Sequence, residues 1–295
     1  IPLAPKVLVP SPNRTASLTF PLLELFPSPS IVMKYKSEGT IALAVPLISK
    51  YSFVKSSGVI FLTRHAEEVV SLALKRKIKS SIVIPHGVPQ RFFNVRNSDT
   101  LDKDNKSGFL VRISYVSIIN FYKHQDVAVK AVSYLRNKTG LNIELTMVGP
   151  SYKPAYSSLQ KVISLLDPNN EWIRVLGPVG YEEMHQIYET TDLGLFLSTC
   201  ENLPIILLEQ LAAKVPTVCS NKMPMPEVAG NSVLYCNPTN YKDVAKQILS
   251  LIESKDLRFD LKGKSLMVAK KYTWEKTAHK TINYLTETCS KKTNY

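Results

Sequence analysis

Residues 192–210 read DLGLFLSTCENLPIILLEQ. Leu193 to Leu197 is a short apolar run with one glycine, the length of a strand buried on both faces. Ser198, Thr199, Cys200, Glu201 and Asn202 are small or polar and read as a turn. From Pro204 the apolar residues Ile205, Leu208, Leu211 and Ala212 recur at helical spacing, and proline suits a first helical position. Strand, tight turn and helix form the unit with which α/β proteins hold phosphorylated ligands. The helix N-terminus offers unpaired N–H groups and a partial positive charge.

Two carboxylates frame this turn. Glu201 stands at the end of the strand, and Glu209 follows eight residues later, one turn into the helix. Glu209 lies inside IILLEQLAA. It either faces solvent from the polar side of the helix or is held toward a ligand hydroxyl.

The same alternation extends in both directions. Upstream, Gly58–Thr63 reads as a buried strand, Thr63 as the cap of a helix over Ala66–Lys75, and Ser81–Pro85 as a second strand. Asn97–Ser107 (NSDTLDKDNKS) is polar and charged and reads as a linker. Then come a strand at Phe109–Val116, a helix at Gln125–Leu135, a strand at Asn142–Val148 and a helix at Tyr156–Leu166. A strand at Trp172–Leu176 and a helix at Tyr181–Glu189 precede the opening stretch, and Thr217–Ser220 (strand) and Tyr241–Ser254 (helix) follow it. This pattern predicts a doubly wound parallel sheet over 109–254, with the tail of a second Rossmann-like domain before it. Residues 1–30, rich in Pro and Ser, read as loop, and Ile41–Val54 as a helix interrupted at Pro46.

Several short motifs stand at intervals along this pattern. They are Ile84-Pro85-His86-Gly87-Val88, the E-N-L-P-I-I-L-L-E of Glu201–Glu209, Val215-Pro216-Thr217-Val218-Cys219-Ser220-Asn221, Met225-Pro226-Glu227-Val228-Ala229-Gly230 and Asn237-Pro238. Together, over roughly 55–285, they resemble family four of the retaining, nucleotide-sugar-dependent glycosyltransferases, of the bacterial surface-polysaccharide type. The resemblance implies a GT-B fold of two Rossmann-like domains, hinged near His86-Gly87. It divides the chain into an acceptor domain at 1–96, a linker at 97–107, a donor domain at 108–271 and, at 272–295, a helix crossing back to the N-terminal domain. The last helix opens at Tyr272-Thr273-Trp274-Glu275 and runs to about Leu285. Fewer residues precede the hinge than such an acceptor domain usually needs, so this half is expected to be truncated.

The resemblance also implies a chemistry. The bond between the sugar and the diphosphate breaks, negative charge grows on the leaving group, and cations or N–H dipoles must meet it. Lys123 matches the lysine of the family's G-R-x-x-x-x-K motif, which contacts the donor diphosphate. The motif's arginine is absent, with Ser117 and Ile118 at the aligned positions. The turn amides of Asn202 and Leu203, or a cation such as Arg112 or His124, are candidates to compensate. Glu201 matches the first Glu of E-x7-E, at the donor sugar, and is the catalytic candidate. Retaining GT-B enzymes are usually described through a front-face mechanism in which the diphosphate takes the acceptor proton. Glu209 matches the second Glu, which bonds the ribose hydroxyls. Gly149, closing a strand, either admits a ligand to the backbone or is an ordinary turn glycine. Glu227 reads equally well as a charge at a helix N-terminus.

Composition narrows the remaining readings. Apolar residues make up 44%, enough for packed cores. No run reaches the ~18 apolar residues of a membrane span. The opening IPLAPKVLVP has no basic segment before an apolar core, so no secretory leader is expected. It also lacks an initiator Met, as in a processed chain or a fragment. The 4 cysteines have no C-x-x-C spacing and fit a reducing cytosol. The histidines (His65, His86, His124, His185, His279) form no metal-ligand pattern, so neither metal nor cofactor is expected beside the nucleotide-sugar co-substrate. The net charge of +13 suits anionic ligands or peripheral contact with an anionic membrane at its inner, cytoplasmic face. No nucleic-acid-binding signature accompanies it. The partners expected are a nucleotide-sugar donor and a glycan or lipid-linked acceptor. The alternative is a truncated, inactive module that only binds a nucleotide sugar.

Overall fold

The structure is a computed structural model that describes residues 51–96, 101 and 109–290. The chain divides into two compact units, Ile1–Ser56 and Ser57–Tyr295. In the first, 51–55 are helical; the loop expected over 1–30 and most of the helix expected over Ile41–Val54 lie outside the described residues, as does nearly all of the Asn97–Ser107 linker.

The second unit carries two parallel sheets, one small and one large. In the small sheet β1 (Val59–Phe61) pairs with β2 (Ser81–Val83). Helix α1 (Arg64–Ala73) joins them, and the Thr63 side chain caps it by accepting from the Ala66 N–H at 3.1 Å, as the sequence predicts. A short helix, α2 (Gln90–Phe93), follows the His86-Gly87 turn.

The large sheet is built from β3 (Leu110–Val116), β4 (Asn142–Val148), β5 (Ile173–Gly177), β6 (Leu193–Phe196), β7 (Thr217–Ser220) and β8 (Leu234–Cys236). Its order is β5-β4-β3-β6-β7-β8, and every pairing is parallel. The crossovers are α3 (Gln125–Thr139), α4 (Lys153–Leu166), α5 (Met184–Glu189), α6 (Ile205–Ala212) and the short α7 (Met225–Ala229). α8 (Tyr241–Glu253), α9 (Lys255–Ala269) and α10 (Trp274–Ser290) complete the chain.

Apolar side chains drive the layering. β6 is buried along its whole length, as its unbroken apolar run requires. Val129 and Val132 of α3 and Leu145 of β4 are fully buried in one cluster, and Leu207 and Leu211 of α6 in another. Each such side chain contributes about 1.5–3 kcal/mol by leaving water. Several helices differ from the expected bounds: α1 spans Arg64–Ala73 and α3 runs on to Thr139. α4 starts at Lys153, with Pro154 in its first turn. α5 starts at Met184, because Tyr181–Glu183 form a turn. α10 runs on to Ser290. α9 and β8 were not expected from the sequence at all.

The last helix is tied to the hinge turn and the small sheet. The Trp274 ring stacks on His86 with centroids 5.5 Å apart, and the Thr277 hydroxyl donates to the Pro85 carbonyl at 2.8 Å. A Cβ on Gly87 would stand 2.0 Å from the Trp274 nitrogen, so only glycine fits this crossing. At the far end the Tyr284 hydroxyl accepts from the Val59 N–H at 3.2 Å.

Candidate functional site

β3 and β6 are neighbours in the sheet, yet β4 and β5 lie between them in sequence, on the other side of β3. The strand order therefore reverses between β3 and β6. The loops that leave their C-terminal ends diverge and open a crevice, the usual ligand position in an open parallel sheet.

Lys123 stands in a 3-10 turn (Phe121–Lys123) after β3, and Glu201 in the loop after β6. Their side chains form an ion pair across the crevice. Lys123 is only 5% exposed, and its ammonium lies 5.3 and 5.2 Å from the ring centroids of Tyr122 and Phe196. The negative ring faces compensate part of the hydration that burial removes.

The loops are held in register by side chains that sequence reasoning missed. Tyr115, buried near the end of β3, donates its hydroxyl to the Lys123 carbonyl and accepts the Leu197 N–H at 3.1 Å, so one phenol ties both sides of the crevice. A tyrosine in an otherwise apolar strand needs a polar partner for its hydroxyl, and that was the available signal. Gln125 donates to the Ser117 hydroxyl at 2.8 Å and the Ile118 carbonyl at 2.9 Å, and so pins the segment where the motif's arginine is absent.

Of the two substitute cations, Arg112 lies near the N-terminal end of β3, beside Asp192, at the edge opposite the crevice. His124 lies at the crevice. Its Nε2 is 3.0 Å from the Thr199 hydroxyl, its backbone is left-handed at φ 53°, and burial lowers its pKa.

Glu209 is 2% exposed, so it does not occupy a solvated helix face. The Tyr181 hydroxyl donates to its Oε1 at 2.8 Å. Burial pushes its carboxyl up to about 7, while the Tyr181 hydrogen bond and the Arg91 guanidinium pull it down. Tyr181 and Arg91 were not foreseen either, since neither belongs to a local motif.

Asn202 and Leu203 precede α6, and among the described residues their N–H groups have no partner. The Asn202 carbonyl accepts from the Thr63 hydroxyl at 3.0 Å, which joins this turn to the small sheet. Gly149 has φ 140°, and a Cβ there would stand 2.2 Å from the Ser117 carbonyl oxygen. The feature that demands glycine is thus the close approach of the loops after β3 and β4. Glu227 accepts from the Arg64 and His65 N–H groups at 2.7 and 3.0 Å, so its charge serves the N-terminus of α1 rather than that of its own helix. Among the described residues, no group of three His, Cys, Asp or Glu side chains could hold a metal ion, and no helix is long and apolar enough to cross a membrane.

Two Rossmann-like parallel sheets, the smaller one N-terminal, with a crevice at the switch point of the larger, define a GT-B-like α/β fold. Solved structures carry the same fold: Anabaena HepE, in complex with UDP and glucose, superposes with a TM-score of 0.68 at 15% identity, over 83% of this chain and 66% of that one. Residues 100–265 match the family described as Glycosyl transferases group 1, and the chain belongs to it. It is 31% identical over 112 residues to O-antigen chain mannosyltransferase B of Escherichia coli, covering 38% of this chain and 29% of that protein. It is 22% identical over 258 residues to an uncharacterised glycosyltransferase of Methanocaldococcus jannaschii, covering 86% of this chain and 65% of that protein. The chain thus spans less than two thirds of the length of either of these relatives.

The family match corrects one expectation. The family shown is Glycosyl transferases group 1, not specifically family four. The short motifs behind that resemblance lie largely at strand ends, turns and helix starts, where they set the strand–turn–helix geometry. They mark the fold class and do not separate the families within it.

Proposed function

We propose that this chain carries the donor site of a retaining glycosyltransferase, one that moves a sugar from a nucleoside diphosphate to an acceptor hydroxyl in surface glycan or lipopolysaccharide assembly. The observation that carries the reading is the Lys123–Glu201 ion pair across the β3–β6 crevice, with the buried Glu209 on the helix that follows. A diphosphate entering the crevice competes with Glu201 for the Lys123 ammonium, assisted by the turn amides of Asn202 and Leu203. Glu201, so released, faces the donor sugar. Glu209 accepts from ribose hydroxyls, and Gly149 lies against the loop after β3 that carries Lys123. In the reaction the bond from the anomeric carbon to the diphosphate oxygen breaks. The acceptor oxygen bonds that carbon on the same face, and its proton passes to the departing diphosphate.

The names of the relatives support a surface-polysaccharide role and a nucleotide donor. The proposed division is 1–96 for the acceptor side, 97–107 for the linker, 108–271 for the donor side and 272–295 for the returning helix. The +13 charge suits an anionic donor and contact with an anionic membrane face, where a lipid-linked acceptor would be presented. The second reading is a module that binds the donor without turnover.

Calorimetric titration with UDP-, GDP- and ADP-sugars tests the donor site. Binding of one sugar nucleotide that is lost in Glu209→Ala is the expected result, and no binding of any refutes the reading. NMR of the product's anomeric proton, with a glycan acceptor supplied, then separates retention from inversion and a transferase from a binding module.

A further inference from the structure

Glu209 has few partners for so buried a carboxylate. Among the described residues one hydrogen bond reaches it, from the Tyr181 hydroxyl to Oε1. Among the described residues its Oε2 has no protein donor, and it is not among the atoms sealed from the surface without a partner. That oxygen therefore keeps some contact with the surface, and its lone pairs are still available.

Tyr181 itself is 50% exposed, yet it is not left to rotate freely. The Arg91 guanidinium lies 4.4 Å from its ring centroid and donates to its carbonyl at 3.3 Å. Arg91 is in turn ion-paired with Glu182 at 3.0 Å. The Phe92 ring stands 6.1 Å away on another side. Ordering a half-exposed ring costs rotamer entropy, and stacking under a guanidinium offsets that cost. Among the described residues, the one side-chain hydrogen bond that the ordered phenol makes is to Glu209.

We propose that Tyr181, held by Arg91, is the positioning residue for Glu209: it anchors one carboxylate oxygen and leaves the other presented to the hydroxyls of a nucleoside. This rests on the donor-site reading above. The ionisable groups around Glu209 are few. Tyr181 and Tyr188 face it from the turn before α5 and from α5, and Arg91 from α2. On the other helices packed against α6, Glu227 of α7 is engaged with the α1 amides, and Arg258 of α9 with the Leu251 and Ile252 carbonyls. Tyr181 and Arg91 both favour the ionised carboxylate against burial. Removing either therefore raises its pKa further, and a protonated Glu209 turns one acceptor site into a donor and accepts from hydroxyls more weakly.

The test is calorimetric titration of the full chain with UDP, GDP and ADP at about pH 6.5 and about pH 8.5, on either side of the shifted carboxyl. Wild type is expected to bind one of the three, more tightly at the higher pH. Tyr181→Phe should bind that nucleotide about tenfold more weakly at the lower pH, the worth of one hydrogen bond to a charged group, and recover most of the loss at the higher pH. Glu209→Ala should be weak at both. Arg91→Gln, which keeps the phenol, should move in the same direction as Tyr181→Phe and covers the case in which that variant folds poorly. In 13C carboxyl NMR the titration midpoint of Glu209 should rise in both. Wild-type affinity in Tyr181→Phe and Arg91→Gln, or a loss that ignores pH, overturns the positioning role and leaves the donor site standing. Binding that survives Glu209→Ala also overturns it. No binding by wild type removes the donor site and this inference together.

Discussion

Replacing Lys123 by Met tests how the crevice is held before any ligand arrives. The substitution keeps the length of the side chain and removes its charge. It leaves the Glu201 carboxylate, 15% exposed, without its cation. Breaking a buried pair on one side costs about 3–5 kcal/mol. Glu201 recovers some of its hydration from the crevice, so the expected cost is about 2–3 kcal/mol. At roughly 2–4 °C per kcal/mol for a unit of this size, the midpoint of thermal unfolding falls by about 4–12 °C. Glu201→Gln should cost at least as much, because the stranded Lys123 side chain is only 6% exposed and has less access to water. The double variant removes both charges and should return at least half of the summed loss. Urea unfolding followed by tryptophan fluorescence reads this directly, since both tryptophans, Trp172 and Trp274, lie in the second unit. Single variants within about 0.5 kcal/mol of wild type, or a double variant equal to their sum, would refute the buried-pair reasoning.

Three further outcomes follow from the geometry. Glu209 has its pKa raised from 4.5 to about 7, so the folded state binds its proton more tightly than the unfolded state does. Its contribution is present below pH 4.5, is lost as the pH rises to about 7, and amounts to a loss on the order of 3 kcal/mol; the stability of wild type minus that of Glu209→Gln should fall across this window, and a flat difference contradicts it. Gly87→Ala forces a Cβ into the Thr273–Trp274 backbone and should cost about 1–3 kcal/mol, read as a lower melting temperature; an unchanged one would mean that the last helix does not cross there. Glu227→Ala frees the Arg64 and His65 amides and should cost about 1–2 kcal/mol, with amide exchange in the first turn of α1 about tenfold or more faster; unchanged exchange would show that the cap is not formed.

The parts of the fold legible in the sequence are those where burial writes a local period. β6 and α6 could be read because an apolar run and a helical stripe adjoin within 192–210. α9 could not, because its pattern is inverted: Arg258 and Ser265 are buried while Phe259 and Met267 are 78% and 71% exposed. β8 contributes only the three residues Leu234–Cys236, too few for a period. The candidate site divides in the same way. Lys123, Glu201 and Glu209 could be singled out as candidates because each sits in a short motif. Arg91 and Tyr181 stand 90 positions apart and meet only through tertiary packing. Whether Glu209 faced water or the interior also depended on what packs over α6, and the sequence of one helix does not contain that.

The bond between Val59 and Tyr284 spans 225 positions. A ribosome adding about 5–20 residues per second would need roughly 10–45 s to make that span. Through that interval β1 and β2 have been synthesised and can pair, but they lack the phenol that accepts from Val59 and lies against Gly58 and Ser80. The part of the second unit made first is therefore the part finished last. A nascent chain would leave the phenol's place beside Gly58, Val59 and Ser80 unfilled until α10 emerges, and a stalled translation complex would be susceptible to proteolysis there and not in the large sheet.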